Sequence, residues 1–199
     1  CVGRLAFPIF AFFIAEGYAH TRDFGRYFRR LAILAVVSEI PFNLENGAVF
    51  DPTRQNVLFT FCLALLTLRG LEALGRERGF GRWAGCGLVL AAGFAAGELL
   101  RTDYGGWGVV TVVLLQLCRD GKYAKLWLLL AMAAVNGLGM GSLTMPVFGG
   151  EMPIQIFAVA ALPVIWLYNG QAGPKGLRRA FYVFYPAHLL VLEGIRTLT

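Results

Sequence analysis

Charged side chains are scarce in this chain, and the shortage limits what the protein can be. They make up 15% of its 199 residues, whereas hydrophobic residues make up 57% and the mean hydropathy is +0.62. Soluble domains carry about 25% charged residues, so the composition argues against an ordinary soluble enzyme. Long polar stretches are missing too, because the longest polar gaps, Glu45–Gln55 and Arg69–Arg82, are too short to fold alone. We therefore expect a single domain over residues 1–199.

Cysteine and histidine are also few, with four and two copies. The cysteines lack the spacing of metal ligands, and three lie in or beside apolar runs, so we interpret them as small core residues. They are Cys1, Cys62, Cys86 and Cys118. Glycine-rich phosphate loops and the Gly-x-Ser-x-Gly elbow of serine hydrolases are absent. We therefore predict no metal site and no serine triad.

Long apolar runs are what the chain does contain. A membrane-spanning helix needs about 20 apolar residues, with about 17 tolerated at the short end. The runs predict an all-α fold, a polytopic transmembrane bundle of eight spanning helices, some of them short or kinked. The eight runs are Val2–Tyr18, Tyr27–Leu44, Asn56–Leu71, Trp83–Leu100, Gly106–Cys118, Ala124–Met140, Met152–Tyr168 and Ala180–Leu198.

Basic residues fall in every second gap between these runs. Of the 18 basic residues, all but Arg4, Arg54, Arg101 and Arg196 lie in four alternate gaps. The gaps are Ala19–Arg30, Arg69–Arg82, Arg119–Lys125 and Lys175–Arg179. Because basic loops stay in the cytoplasm, the alternation predicts a multi-pass inner-membrane protein with these gaps cytoplasmic. It also leaves the first residue outside, so we expect at least one further helix upstream.

The net charge of +6 is explained by the same topology. A cytoplasmic face that lies against anionic lipid attracts basic residues, so membrane lipid is an expected partner and nucleic acid is not. Glycine is abundant, with 25 copies, and several lie inside the fourth run: Gly85, Gly87, Gly93 and Gly97. We interpret them as positions of close helix packing.

His188 is the clearest functional candidate among the polar residues at membrane depth. It lies nine residues after Arg179, which is about 13–14 Å along a helix and close to the middle of the bilayer. Tyr185 lies one turn earlier on the same face. A buried histidine can act as a general base, or it can simply bond to a neighbouring helix.

Other polar residues are weaker candidates. Glu39 lies nine residues past Arg30, and it either serves the reaction or pairs with Arg4 or Arg101. Glu16 belongs either to an ordinary helix exit or to a cytoplasmic mouth whose arginines bind phosphate. Four further residues are candidates near the outer side, each weak alone: Asn56, Thr60, Asp103 and Tyr104.

Several segments together resemble the TraX family, whose conjugation-associated members acetylate the N-terminus of pilin. The likeness covers nearly the whole chain, and its strength lies in the order of the segments rather than in any one of them. The segments are Gly3–Phe12, Ala15–Tyr18, His20–Arg22, Ser38–Phe42, Gln55–Val57, Asp103–Gly105, Leu167–Gly170 and Phe184–Leu190.

The resemblance implies a chemistry. TraX-like proteins are similar to integral-membrane acyltransferases that use cytoplasmic acyl-CoA, so the implied donor is acetyl-CoA and the implied acceptor is an amine or hydroxyl on a small molecule or peptide terminus. The family also begins with another helix that carries an Asp-His pair. That pair is absent here, so the catalytic histidine is either His188 or the one in that upstream helix.

From this we derive a mechanistic hypothesis. His188 acts as general base, oriented by Glu39, and a donor such as Tyr185, Asn56 or Arg4 stabilises the oxyanion. The residues expected to bind the phosphates of acetyl-CoA are His20, Arg22, Arg26, Arg29 and Arg30. The residues expected to line the substrate path are Arg4, Glu16, Thr60, Asp103 and Tyr104.

Two other functions are compatible with the same residues. A proton-coupled transporter of small molecules would use Glu39, His188 and Glu16 as a relay. A non-catalytic membrane scaffold would need none of them.

Overall fold

A computed structural model describes residues 3–45, 47, 51–75, 80–140, 144–147, 150–171 and 175–198. These residues form an almost entirely helical chain, which confirms the all-α prediction. The α-helices are α1 (Gly3–His20), α2 (Phe24–Glu45), α3 (Val57–Leu74), α4 (Phe80–Leu99), α5 (Gly105–Leu117), α6 (Ala124–Ala134), α7 (Ala161–Trp166) and α8 (Lys175–Leu198).

The third quarter of the chain is less regular than its apolar runs predicted. A π-helix, Val135–Gly139, continues α6, and a 3-10 helix, Ile154–Ala160, precedes α7. Between them the strands β1 (Thr144–Val147) and β2 (Gly150–Pro153) form an antiparallel hairpin. The run Met152–Tyr168 is therefore not one continuous helix, since its first two residues belong to β2 and most of the rest is divided between the 3-10 helix and α7.

The helices differ in whether they are long and apolar enough to cross a membrane. Within the described residues, Val57–Leu74 is long and apolar enough to do so, with a mean hydropathy of 1.8. Three apolar helical segments are shorter: Gly105–Leu117, Ala124–Gly139 and Ile154–Trp166. At 1.5 Å per residue the 13 residues of α5 reach about 20 Å, less than the hydrocarbon thickness of about 30 Å.

The core lies where α1, α3 and α5 meet, around Phe7, Leu65 and Val112. Glycines let α4 approach its neighbours. A Cβ atom at Gly97 would lie 2.7 Å from the backbone of Gly105, and one at Gly93 would collide with the side chain of Thr67. The prediction of close packing is confirmed at these positions, whereas Gly87 has open space.

Three of the four predicted basic gaps meet at one end of the bundle, which we call the basic end. Arg119, after α5, lies 3.3 Å from Glu16 of α1. The Tyr18 hydroxyl donates to Glu72 of α3 at 2.6 Å, and Arg69 lies over the ring of Phe24 at the start of α2. The side chains of Lys175–Arg179 lie outside the described residues.

The basic residues outside those four gaps lie at the other end of the bundle, which we call the opposite end. Arg54 lies 3.3 Å from Asp103, and Arg196 donates to the carbonyl of Leu44 at 3.3 Å. Gln55 donates its N–H to the carbonyl of Arg101 at 3.0 Å. The charge pattern thus predicted correctly which helix ends come together.

Candidate functional site

Half-buried Glu39 of α2 and fully buried Asn56 form a pair at the centre of the site. Asn56 caps α3, because its Oδ1 accepts from the N–H of Leu58 at 3.0 Å. Its Nδ2 group donates to the carbonyl of Ala35 at 2.9 Å and also to Oε2 of Glu39. Its backbone N–H donates to the same carboxylate oxygen at 3.3 Å. The helix cap therefore fixes the orientation of the carboxylate.

Three polar atoms near this level of the bundle are buried without a hydrogen-bond partner in the described part of the chain. They are Oε1 of Glu39, Oγ of Ser38 and Oγ1 of Thr60. Ser38 and Thr60 are fully buried. Leaving such a group unpaired costs about 1–3 kcal/mol, so each of these atoms has hydrogen-bonding capacity that a ligand or water can use.

The pairing of Glu39 corrects two expectations. An ion pair with Arg4 or Arg101 does not form, because the cap residue Asn56 supplies the partner instead. Glu39 does not orient His188 either, since its hydrogen bonds go to Asn56. Asn56 itself has no free amide hydrogen for an oxyanion, because both hydrogens of its NH₂ group are engaged.

A second group of candidates surrounds Gly108 of α5. A Cβ atom there would lie 2.6 Å from Cγ2 of Thr60 and 2.6 Å from Cβ of Tyr104. The Tyr104 ring stacks on Phe7 with centroids 3.6 Å apart, and the positive charge of Arg4 opposes the rise in the Tyr104 pKa that burial causes. The structure thus brings Arg4, Thr60 and Tyr104 to one face of α1, α3 and α5.

Asp103 lies in the turn between α4 and α5, beside this group. Burial raises the pKa of its carboxyl from the ordinary value, and Arg54 and Arg4 oppose the rise by attraction. Arg54 holds the side chain of Asp103, so this ion pair joins the segment before α3 to the turn between α4 and α5.

His188 lies on α8, which packs against α2. Its Nδ1 is 3.2 Å from the carbonyl of Phe184, its ring stacks on the Phe184 ring, and the ring of Tyr185 meets it edge-on at 5.2 Å. If Nδ1 carries the proton and donates to that carbonyl, Nε2 keeps the lone pair that a general base requires. No described residue bonds to Nε2.

At the basic end the candidates divide into paired and unpaired side chains. Glu16 binds Arg119 at 3.3 Å and His20 at 3.4 Å, and Arg26 binds Asp23 at 3.3 Å. Arg119 was not singled out as a site residue, although its place in a basic gap was the available signal. Three exposed arginines have no ion pair with any described residue: Arg22, Arg29 and Arg30.

Three of the candidate arginines at the basic end lie on the outward face of α2. Helical periodicity places Arg26, Arg29 and Arg30 opposite the buried residues Leu31 and Ala35. They therefore do not line the interior of the bundle. A shallow groove of about 310 Å³ begins at Arg29 on this face; its other lining residues are Ala32, Ile33, Val36 and Val37.

A cleft of about 440 Å³ at the opposite end was not predicted. It lies between the segment before α3 and the end of α4, next to Asn56 in the chain, and its lining residues are Pro52, Thr53, Gln55, Phe59, Leu99, Leu100, Arg101 and Thr102. Arg101 adopts φ = 51°, a left-handed conformation that is uncommon for a residue with a side chain. Its walls come from segments more than 40 residues apart, so sequence patterns gave no signal.

A second buried polar pair was also missed. The side-chain amide of Gln155 donates to Oδ1 of Asn136 at 3.4 Å. Asn136 lies in the π-helix that follows α6, and Gln155 lies in the 3-10 helix that precedes α7. Polar amides within apolar runs were the available signal. Across the described residues, no three His, Cys, Asp or Glu side chains gather as metal ligands.

Comparisons with known proteins agree on one family. The family described as TraX protein matches residues 1–196. The chain is 31% identical over 202 residues to the probable fimbrial assembly protein FimC, serogroup H1, of Dichelobacter nodosus, a match that covers 96% of this chain and 80% of that protein. No solved structure matches the chain.

Proposed function

This chain belongs to the TraX family, and from that premise we propose that it is an integral-membrane acyltransferase of the bacterial inner membrane. It moves an acetyl group from cytoplasmic acetyl-CoA to an amine or hydroxyl acceptor such as a peptide N-terminus. The relative named for fimbrial assembly supports an acceptor connected with pili.

Exposed apolar side chains support the membrane location. Ile33 and Val36 on α2 are 58% and 63% exposed, and Leu88 on α4 and Val191 on α8 are 73% and 61% exposed. Contiguous apolar faces of this kind mark membrane or protein contacts. With the basic end in the cytoplasm, the bundle follows the positive-inside rule.

The observation that carries the proposal is that α2 connects the arginines of the basic end to the carboxylate that Asn56 holds. Arg30 is exposed and has no ion pair with a described residue, and half-buried Glu39 lies nine residues later, about 13–14 Å along the helix and on its other side. The phosphates of acetyl-CoA bind Arg22 and Arg30 beside His20 by charge-assisted hydrogen bonds. The pantetheine arm then carries the thioester into the bundle.

The chemistry needs a base and an oxyanion donor. Nε2 of His188 takes the proton from the acceptor amine or hydroxyl, and the freed lone pair attacks the thioester carbonyl. The C–S bond breaks, and the departing thiolate of CoA takes the proton back from the imidazolium. Tyr185 or Arg4 donates to the developing oxyanion, since Asn56 has no free hydrogen.

Glu39 is then available to the acceptor. Its Oε1 is buried and unpaired among the described residues, while Oε2 is held by Asn56. An acceptor amine reaching this oxygen would gain a charge-assisted hydrogen bond at the depth where transfer takes place. The acceptor enters by the cleft at the opposite end, whose volume suits a small group or a chain terminus.

Acetyl transfer from labelled acetyl-CoA to peptide amines tests the proposal. A lone general base contributes about 10²–10⁴-fold, so His188→Ala should lower the rate by at least 100-fold. The control is His20→Gln, which leaves the proposed base intact and should mainly raise KM for acetyl-CoA. An H188A rate within a few-fold of wild type would remove His188 from the role.

Ligand binding provides a second readout that does not depend on the acceptor. Acetyl-CoA at 100 times Kd should stabilise the folded protein by about 2.7 kcal/mol. If millimolar acetyl-CoA gives no thermal shift, the acyltransferase proposal fails.

One observation also favours a proton-coupled transporter. Glu39 is a half-buried carboxylate whose Oε1 has no hydrogen-bond partner among the described residues, and a proton relay inside a membrane uses such a group. Proteoliposomes would then show pH-driven flux of a small molecule without CoA, and Glu39→Gln would abolish that flux.

A further inference from the structure

The outward face of α2 changes character along its length. Its first two turns carry arginine and the next three carry exposed aliphatic side chains, all on one stripe of the helix. The stripe consists of Arg26, Arg29, Arg30, Ile33, Val36, Val37 and Ile40. Neither the proposed donor site nor the buried carboxylate uses the aliphatic part of this stripe.

The groove on this face joins the two parts. Arg29 lines one end of it, and Ile33, Val36 and Val37 continue it toward the opposite end. Ile33, Val36 and Val37 are each more than half exposed. The groove is therefore a cationic head followed by an open apolar track.

No described acidic side chain neutralises the charge of Arg29 at the head of the groove. Asp23 lies 3.3 Å from Arg26 and is occupied by it. Arg29 has no ion pair or hydrogen bond with another described side chain. A guanidinium of this kind can offer two parallel N–H groups to a phosphate.

We propose that this groove binds a phospholipid with an anionic headgroup, its phosphate held by Arg29 and one acyl chain lying along Ile33, Val36 and Val37. The inference rests on the membrane location proposed above. Acetyl-CoA is a poorer fit for Arg29, because a soluble ligand would leave the apolar track uncovered. Arg22 and Arg30 remain for the donor phosphates.

Lipid selectivity measures the site directly. The full chain is placed in nanodiscs of phosphatidylcholine with a minor fraction of phosphatidylglycerol, and the bound lipids are identified by native mass spectrometry. We expect phosphatidylglycerol to be retained selectively, and Arg29→Gln to lower that selectivity about fivefold, since one basic residue contributes about 1 kcal/mol at an anionic surface. Equal retention of the two lipids by the wild type would overturn the proposal.

Two matched controls separate a site from general charge. Arg82→Gln removes the same charge from an exposed position on α4 and should change the selectivity little. Ala32→Leu fills the groove without changing charge and should lower retention, whereas Ala91→Leu on the exposed face of α4 should not. If R29Q and R82Q behave alike, the effect is diffuse electrostatics and there is no site.

Competition distinguishes lipid from other phosphates. Free inorganic phosphate and acetyl-CoA should not displace the bound phosphatidylglycerol; displacement by either would reassign Arg29 to a soluble ligand and overturn the proposal. Loss of acetyl transfer with lipid retention intact would overturn the acyltransferase alone. A chain that does not enter nanodiscs would overturn both.

Discussion

Asn56 at the opposite end uses every hydrogen-bonding group it has, while the side chains of Arg22 and Arg30 at the basic end bond to no described residue. Both ends are rich in polar side chains, yet burial divides them. Asn56 is fully buried, and its bonds hold α2 and α3 together. The exposed arginines contribute little to folding and are available to a ligand. Polar residues in this bundle therefore have a structural role where they are saturated and a binding role where they are not.

Replacing Asn56 should give the largest change in stability. Asn56→Ala removes a helix cap, worth about 1 kcal/mol, and leaves the Glu39 carboxylate unpaired, at about 1–3 kcal/mol more. We expect the free energy of unfolding in detergent to fall by about 2–4 kcal/mol. Asn169→Ala, at an exposed turn, is the control and should change it by less than about 0.5 kcal/mol. If Asn56→Ala and Asn169→Ala lower the free energy of unfolding equally, Asn56 does not have the structural role proposed for it.

The exposed arginines should show the reverse pattern. Arg22→Gln combined with Arg30→Gln should weaken acetyl-CoA binding about tenfold, as loss of charge-assisted bonds worth roughly 1.5–3 kcal/mol allows, and should leave stability nearly unchanged. Binding by calorimetry and unfolding by denaturant measure the two effects. Arg82→Gln with Lys122→Gln removes equal charge elsewhere at the basic end. If that control weakens binding as much, the arginines act only through the overall field.

A smaller effect tests whether burial also sets the coupling energy of the ion pairs at the basic end. The side chains of Glu16 and Arg119 are 12% and 29% exposed, whereas those of Asp23 and Arg26 are 54% and 63% exposed. Double-mutant cycles should give a coupling of about 0.5–1 kcal/mol for the first pair and less for the second. Equal couplings would show that burial does not set their strength.

Much of the fold follows from local patterns in the sequence. The apolar runs located α1 to α5 and α8 to within a few residues, and the alternating charges predicted which ends meet. The hairpin and the 3-10 helix did not follow, because Met152–Tyr168 is mostly apolar and hydrophobicity does not distinguish these elements from one long helix.

The site was harder to predict, since its contacts join distant segments. Glu39 and Asn56 were both identified as candidates, but their pairing depends on how α2 packs against α3. Hydrophobicity locates a helix and not its partners. Helical periodicity predicts that Arg29 lies on the outward face of α2, away from its buried face.

The proposed donor site requires that the arginines of α2 lie on the side of the membrane that holds CoA. Single cysteines at Gly25 and at Pro52, in a chain whose native cysteines are replaced, can be treated with a membrane-impermeant maleimide in intact cells. We predict labelling at position 52 from outside and labelling at position 25 only after the membrane is opened. Labelling of position 25 in intact cells would contradict the donor site and the acetyl-transfer mechanism together.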